Sequence, residues 1–405
     1  MSALAQTLMP EAQACADDYE ATRKVGLQRL MQHGFPDQKT EAWKYTPLRV
    51  LEQRETQTEP RTMGEPAALP AWPVAGTLLH FDHGILQCDP GELAEGLTLM
   101  PADPKALEQR DFDALYGGRE GAFSWLNLAR FDHAWHLQVR GEHTVIMATT
   151  TTDAFSADVH PRIRIEVLPG ARLTLLQDQT DAGEGLVNMN CEIDVAEGAQ
   201  VEHVLCCKNH ESVWVQRTDV DIHKAAEYRV VAFDRGGRLT RHDLTMRLRE
   251  GTAHGEIDGL VVMDGHQHVD WHTEIVHCTG HTNSREAFRM LAGGTSVGVF
   301  NGRIHIFPDA DDSHSDLNTA NLLLSDQARV NIKPELEIYS EEVTASHGAT
   351  IGQLDDRSLF YMRSRGLSEA ESLALLKYGF AAEPLMQIQT PAIRDWALEQ
   401  LKEAL

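Results

Sequence analysis

The sequence predicts a mainly β chain, a parallel β-helix (solenoid) flanked by N- and C-terminal α-helical segments. Three observations carry that expectation. Residues alternate apolar and polar with period two through the middle of the chain, as in Arg162-Ile163-Arg164-Ile165-Glu166-Val167, the pattern of strands with one buried face. The pattern recurs at a nearly fixed spacing: Ile163-x-Ile165-x-Val167-x-x-Gly170-Ala171 returns 28 residues later, without a gap, as Cys191-x-Ile193-x-Val195-x-x-Gly198-Ala199. On either side of this region the period is helical. An antiparallel sandwich would give regular turn spacing, but it gives no reason for the same residue types to recur.

Taken in order, residues 1–75 read as an N-terminal helical segment and linker. Ala12, Ala16, Tyr19, Val25, Leu27, Leu30 and Met31 form a loose helical stripe that Gly34 and Pro36 stop. A compact segment follows over 40–48. From Glu52 to Pro73 the chain is rich in Pro, Thr, Glu and Gln, which is linker composition. Residues 76–134 form a mixed connecting region. It holds a short hairpin around Asp82-His83-Gly84 and a helical stretch from Asp111 to Phe131, broken near Gly117-Gly118.

Residues 135–352 are the β-helix core. Further strands, Val220-Asp221-Ile222 and Met246-Arg247-Leu248, follow at 27 and 26 residues, and Ile304-x-Ile306 returns as Leu336-x-Ile338 after 32. Residues 353–405 form a C-terminal helical domain. Ser368-x-x-Glu371 is a capping box, Gly379 is a candidate stop, and Thr390-Pro391 places an N-cap and an N1 proline before a last helix. The stripe of that last helix is Ile393, Trp396, Ala397, Leu401 and Ala404. These helices are expected to cap the open end of the solenoid, with their other faces free for a partner.

Composition excludes several functions. The 405 residues include 36 Lys plus Arg against 61 Asp plus Glu, a formal charge of -25. That argues against nucleic acid or anionic membrane as the main partner. None of the six cysteines is spaced C-x-x-C, which removes ferredoxin, zinc-ribbon and thioredoxin patterns. The N-terminus has no basic n-region and the aliphatic runs are short, so a cytoplasmic chain with free thiols is expected. No Gly-Lys dipeptide exists to build a Walker A loop, and there is no G-x-S-x-G elbow.

Twenty histidines are the unusual number. His266, His268, His272, His277, Cys278 and His281 crowd one stretch, and with Glu274 they narrowly miss a cupin metal motif. Imidazoles lining a polar solenoid face are the favoured explanation. The competing reading is a metal-dependent oxygenase or isomerase using His266, His268, His272 and Glu274. Adjacent Cys206 and Cys207 point to opposite faces of a strand and read as packing thiols. The acid pairs Asp311-Asp312 and Asp355-Asp356 fit a loop or a helix N-terminus.

The C-terminal third carries an ordered series of motifs: Phe300-Asn301-Gly302-Arg303-Ile304, Asn321-Leu322-Leu323-Leu324-Ser325, Pro334-Glu335-Leu336-Glu337-Ile338-Tyr339, Ser346-His347-Gly348-Ala349-Thr350-Ile351-Gly352 and Leu359-Phe360-Tyr361-Met362-Arg363-Ser364-Arg365-Gly366. With Glu41-Ala42-Trp43-Lys44-Tyr45-Thr46 and His160-Pro161-Arg162 upstream, this series resembles the SufB/SufD family of iron–sulfur cluster assembly scaffolds over nearly the whole chain. The resemblance implies a right-handed parallel β-helix and a non-catalytic scaffold role in a SufB–SufC–SufD complex. It implies pairing through the β-helix end with a SufB-like subunit, or with a second copy when isolated. It also implies docking of a SufC-like ABC-type ATPase on the C-terminal helical region, with Tyr361, Arg363, Ser364, Arg365 and Gly366 as contact candidates.

On the same resemblance, no cofactor is held stably. A nascent iron–sulfur cluster passes through the interface with the SufB-like subunit, and a flavin belongs to the complex. The histidine of the Ser-His-Gly-Ala motif, His347, is then the interface residue, as a transient iron ligand or a proton carrier. Many relatives carry cysteine two residues earlier. Here the residue is Ala345, which leaves thiolate chemistry to the partner.

Overall fold

A computed structural model describes residues 8, 18–52, 69–88, 93–152, 157–181, 183–209 and 211–405. The stripe residues Ala12 and Ala16 and linker positions 53–68 lie outside the described residues.

The chain winds as a two-sheet solenoid. One sheet runs Ile85–Gln87, Thr77–Asp82, Glu142–Thr150, Arg172–Asp181, Gln200–Asn209, Glu227–Asp234, His254–Met263, Asn283–Ala292, Ser313–Leu323 and Val343–Gly352. The other runs Leu97–Pro101, Ala134–Val139, Arg162–Val167, Leu186–Val195, Val213–Ile222, Leu239–Leu248, His268–His277, Val297–Ile306 and Arg329–Ile338. Pairing is parallel along both sheets except at their first strands, Ile85–Gln87 and Leu97–Pro101, which pair antiparallel. The hairpin expected around Asp82-His83-Gly84 is the first of these pairs, with His83 and Gly84 at positive φ.

The recurring sequence pattern is the strand register itself. Ile163 lies beside Cys191, Ile193 beside Val220, Val220 beside Met246 and Ile304 beside Leu336. Each coil therefore stacks apolar on apolar along the lumen. The turn after each strand needs a left-handed residue, supplied by Gly170, Gly198, Ala225 and Thr252 at successive coils. This accounts for the small residues in the repeat.

Alternate residues of both sheets fill the lumen, where Trp214, Tyr228, Trp271, Phe288 and Phe300 are all buried. Burying one such large apolar side chain contributes roughly 1.5–3 kcal/mol. The packing is close. A Cβ on Gly259 would run into the Phe288 ring, so Gly259→Ala forces the core apart.

Helices cover both flanks. Helix α1 (Glu20–His33) packs on α2 (Ala122–Arg130), and their cluster seats on Val213, Val215 and Leu239 of the second sheet. The helical stretch expected over 111–131 is broken at Gly117-Gly118 as the glycines suggest. At the C-terminus follow α3 (Asp356–Ser364), α4 (Glu369–Leu385) and α5 (Pro391–Ala404).

Two expectations are corrected here. Gly379 does not stop α4, which runs on to Leu385. Burial of Ala381 and Leu385 outweighs the roughly 1 kcal/mol helix cost of one glycine. The C-terminal helices also do not cap the solenoid's end. They lie against the outer face of the first sheet, because Ile146, Leu176, Val204, Val231, Phe233 and Leu260 form an outward apolar row there. Ala381, Leu385, Ile393, Ala397 and Leu401 bury that row. The capping box of α4 forms, with Ser368 and Glu371 bonded reciprocally. The N-terminus of α5 is held from outside: the Glu202 carboxylate accepts the Thr390 hydroxyl and, at 3.1 Å, the Thr390 N–H. Among the described residues no helix is long and apolar enough to cross a membrane.

Candidate functional site

Because the helices cover the flanks, the last coil is open. Among the described residues its strands, Arg329–Ile338 and Val343–Gly352, each pair on one side only. Register fixes which of their residues face the lumen. Val330, Ile332, Pro334, Leu336 and Ile338 continue the inward row of Val297–Ile306. Val343, Ala345, His347, Ala349 and Ile351 continue that of Ser313–Leu323, since Leu317, opposite His347, is fully buried. Val330, Ile332, Leu336, Val343 and Ala345 pack against the core from this side. Ile338 and Ile351 stay 39% and 51% exposed, and Tyr339, just past the strand, 62%. The core therefore ends in an unfinished apolar mouth.

His347 sits within that mouth and is exposed. Its flanks are fixed by the preceding strand. Ser346 Oγ donates to Asp316, and Gly348 lies so close that a Cβ would meet Asn318 Oδ1 at 2.6 Å. A larger residue after His347 would have to displace the exposed Asn318 side chain. An accessible imidazole in an apolar rim can ligate a borderline metal ion or carry a proton.

Tyr361, Arg363, Ser364, Arg365 and Gly366 fall together at the end of α3, a helix that buries none of its residues. Asp355 caps its start by accepting the Arg357 and Ser358 N–H groups, the N-terminal role expected for that acid pair. Ser364 Oγ donates to the Tyr361 carbonyl at 2.7 Å. The Arg365 guanidinium lies 5.9 Å from the Tyr361 ring centroid, and Arg363 pairs with Glu369 at 3.1 Å. Gly366 closes the unit at φ 98. Phe360 (76% exposed), in the same motif but not among the contact candidates, adjoins them on α3.

The histidine-rich stretch does not converge. His266 lies in a turn. His268 and His272 point outward from their strand, while His277 points into the lumen and donates or accepts with Thr282 and Ser284. His272 pairs with Asp270 at 3.0 Å, and Glu274 faces Arg303 at 3.6 Å. The fully buried Asp270 pairs with Arg241 at 2.6 Å, and the Arg241 guanidinium lies 4.0 Å from the Trp43 ring centroid. Burial works to raise the Asp270 carboxyl, but Arg241 and His272 override it and hold it well below the usual range. Arg241 also donates to the Ala42 carbonyl at 2.7 Å. The Glu41–Thr46 motif is thus a staple between the N-terminal segment and the second sheet.

Arg162 of the His-Pro-Arg motif is likewise buried, bonded to Asn127 at 2.9 Å and Glu192 at 3.0 Å. Cys191, Cys206, Cys207 and Cys278 are free thiols.

Comparison with known proteins decides the family. The model described as "SUF system FeS cluster assembly, SufBD core domain" matches residues 148–380, a span that includes the solenoid mouth, His347 and α3. The chain belongs to the SufB/SufD family. It is 28% identical over 397 residues to the iron–sulfur cluster assembly protein SufD of Escherichia coli, covering 92% of this chain and 89% of that one. It is 29% identical to the SufBD family protein slr0076 of Synechocystis over 62% of this chain and 57% of that protein. It is 27% identical to the chloroplastic protein ABCI7 of Arabidopsis thaliana over 61% and 53%. Among these the chain is SufD-like, matching E. coli SufD over most of both lengths.

Proposed function

We propose that this SufD-like chain is a non-catalytic scaffold subunit. It pairs through its open solenoid mouth with a SufB-like subunit and presents His347 at the seam, where a nascent iron–sulfur cluster is cargo rather than a resident group. The observation that carries this reading is the mouth itself: an in-phase apolar row, two unpaired strand edges and one imidazole among them. The exposed unit Tyr361, Arg363, Ser364, Arg365 and Gly366, with Phe360, is the docking face for a SufC-like ABC-type ATPase. Free buried thiols fit work in a reducing cytoplasm.

The test is His347→Ala in the complex reconstituted with SufB-like and SufC-like partners. His347 is exposed, so partner binding is expected to survive while iron and sulfide assembled per complex fall. Cluster formation equal to that of the parent complex refutes the role given to His347.

A further inference from the structure

Inside the solenoid, three side chains from separate strands meet. Cys207 and Asp234 are register neighbours near the ends of Gln200–Asn209 and Glu227–Asp234. His242 comes from Leu239–Leu248 of the opposite sheet. All three are buried, at 1%, 1% and 2% exposure. Their donor atoms lie within 4.8 Å of one another, and among the described residues no other group of three His, Cys, Asp or Glu is so placed.

The geometry distinguishes a metal site from a proton relay. In a thiol–imidazole–carboxylate relay, the thiol and the carboxylate bond opposite ring nitrogens. Here both approach the same one: His242 Nε2 is 3.6 Å from Cys207 Sγ and 3.4 Å from Asp234 Oδ2. Around a tetrahedral zinc ion, bonds of about 2.3 Å to sulfur and about 2.0–2.1 Å to nitrogen and oxygen set donor atoms roughly 3.3–3.6 Å apart. The two separations from His242 match, and the third pair of donors lies within 4.8 Å.

An outer layer holds the donors in place. Asp234 Oδ2 accepts the Trp271 indole N–H at 3.0 Å, and Oδ1 accepts the Gly236 N–H at 2.8 Å. The His242 ring stacks on Trp271 with centroids 4.2 Å apart. Such second contacts orient ligands in metal sites. Gln179 Oε1 accepts the Cys207 thiol hydrogen at 2.8 Å.

We propose that Cys207, Asp234 and His242 form a binding site for a divalent cation of borderline softness, with zinc the best match to the spacing. A dication, a thiolate and a carboxylate sum to zero charge, which suits a lumen that would penalise any net charge. Binding forms the metal–sulfur bond, releases the thiol proton to solvent and sheds water from the ion; no electron moves. Burial otherwise pushes the Cys207 thiol well above its ordinary value, so the ion and not the solvent creates the thiolate. Along the first sheet the strand of Asp234 lies four strands from that of His347 and the strand of Cys207 five, roughly 19 and 24 Å at about 4.8 Å per strand. The site is therefore separate from the mouth, and it ties the two sheets together at mid-solenoid.

The test uses the full chain expressed in medium supplemented with zinc or with Co²⁺, followed by metal analysis and absorption spectroscopy. About one ion per chain is expected, with a thiolate-to-cobalt charge-transfer band in the cobalt form. Cys206→Ala, on the outer face of the same strand, keeps both. Cys207→Ser loses the band, and His242→Gln weakens retention against a chelator by roughly tenfold or more. A parent chain that binds cobalt without the thiolate band, or that binds neither metal stoichiometrically, overturns the proposal whether or not the variants fold. Undiminished binding by folded Cys207→Ser overturns it too.

Discussion

Glu286 projects into the lumen from Asn283–Ala292 and is fully buried. Burial is the main cause that pushes its carboxyl from the ordinary 4.5 up to about 8; the nearby Asp258 carboxylate adds to this and the Thr273 hydroxyl opposes it. The folded chain therefore keeps a proton on Glu286 at neutral pH, and the unfolded chain does not. Between pH 4.5 and about 8 the folded state binds more protons, so stability falls as pH rises through that window. At about 1.36 kcal/mol per pH unit the loss is roughly 3 kcal/mol by pH 7 and approaches roughly 5 kcal/mol above pH 8.

Glu286→Gln keeps the shape and removes the titration. The variant should match the parent in urea unfolding near pH 4.5 and exceed it progressively toward pH 8.5, by an amount of the order just worked out. Two unfolding series across that range, read by tryptophan fluorescence, give the difference directly. A gap between variant and parent that is the same at both ends of the range would mean that Glu286 does not stay neutral in the fold. The account of its burial would then fail.

Replacing both Ile338 and Ile351 with Asp should weaken binding to a SufB-like partner by roughly a hundredfold or more, since each isoleucine that completes its burial there is worth about 1.5 kcal/mol or more. Both are already half exposed, so the melting temperature of the isolated chain should hold, and calorimetric titration with the partner reads the loss. Phe360→Ala combined with Tyr361→Ala should cut capture of a SufC-like ATPase in a pull-down by roughly tenfold, again without changing the melt, because α3 buries nothing. Asp270→Ala removes one of the two carboxylates that hold the buried Arg241 guanidinium, Asp243 being the other, and should cost about 1.5–3 kcal/mol, seen as a lower urea midpoint.

The register was legible because stacked coils repeat residue types at the same offset: spacings of 28, 27, 26 and 32 residues reappear as strand partners. The position of the C-terminal helices was harder to see, yet a signal existed. Runs such as Val230-Val231-Ala232-Phe233 and Leu260-Val261-Val262-Met263 lose their alternation, as strands do when both faces are covered. Closeness along the chain gives the 266–281 histidines no common site, as the favoured reading expected, because a turn and an alternating strand send neighbours to different faces. The opposite held for the lumen cluster. Cys207 and Asp234 are 27 residues apart, a coil spacing already present in the repeats, while His242 joins them only because the two sheets face each other. The Cys206–Cys207 pair does divide between two faces as expected. Cys206 meets the C-terminal helices, and Cys207 faces the lumen beside Asp234 and His242.

The two ends of the solenoid argue for one as the pairing surface. At the start, each sheet closes with a short antiparallel strand: three residues at Ile85–Gln87 and five at Leu97–Pro101. Short, reversed edges resist further pairing. At the other end both sheets stop on full ten-residue strands. Those strands carry ample polar residues, but only in one phase: Arg329, Asn331, Lys333, Glu335 and Glu337 point outward. In the inward phase of the two strands stand valine, isoleucine, leucine, proline and alanine, and a single polar side chain, His347. A terminus meant to face water would gain from charge in that phase, and the outward phase shows that the strands tolerate it. An apolar row kept in register with the core, on edges unpaired among the described residues, fits the pairing surface proposed above. Closing it would draw water away from the one imidazole in the row, the condition under which a ligand of modest affinity holds a metal ion best.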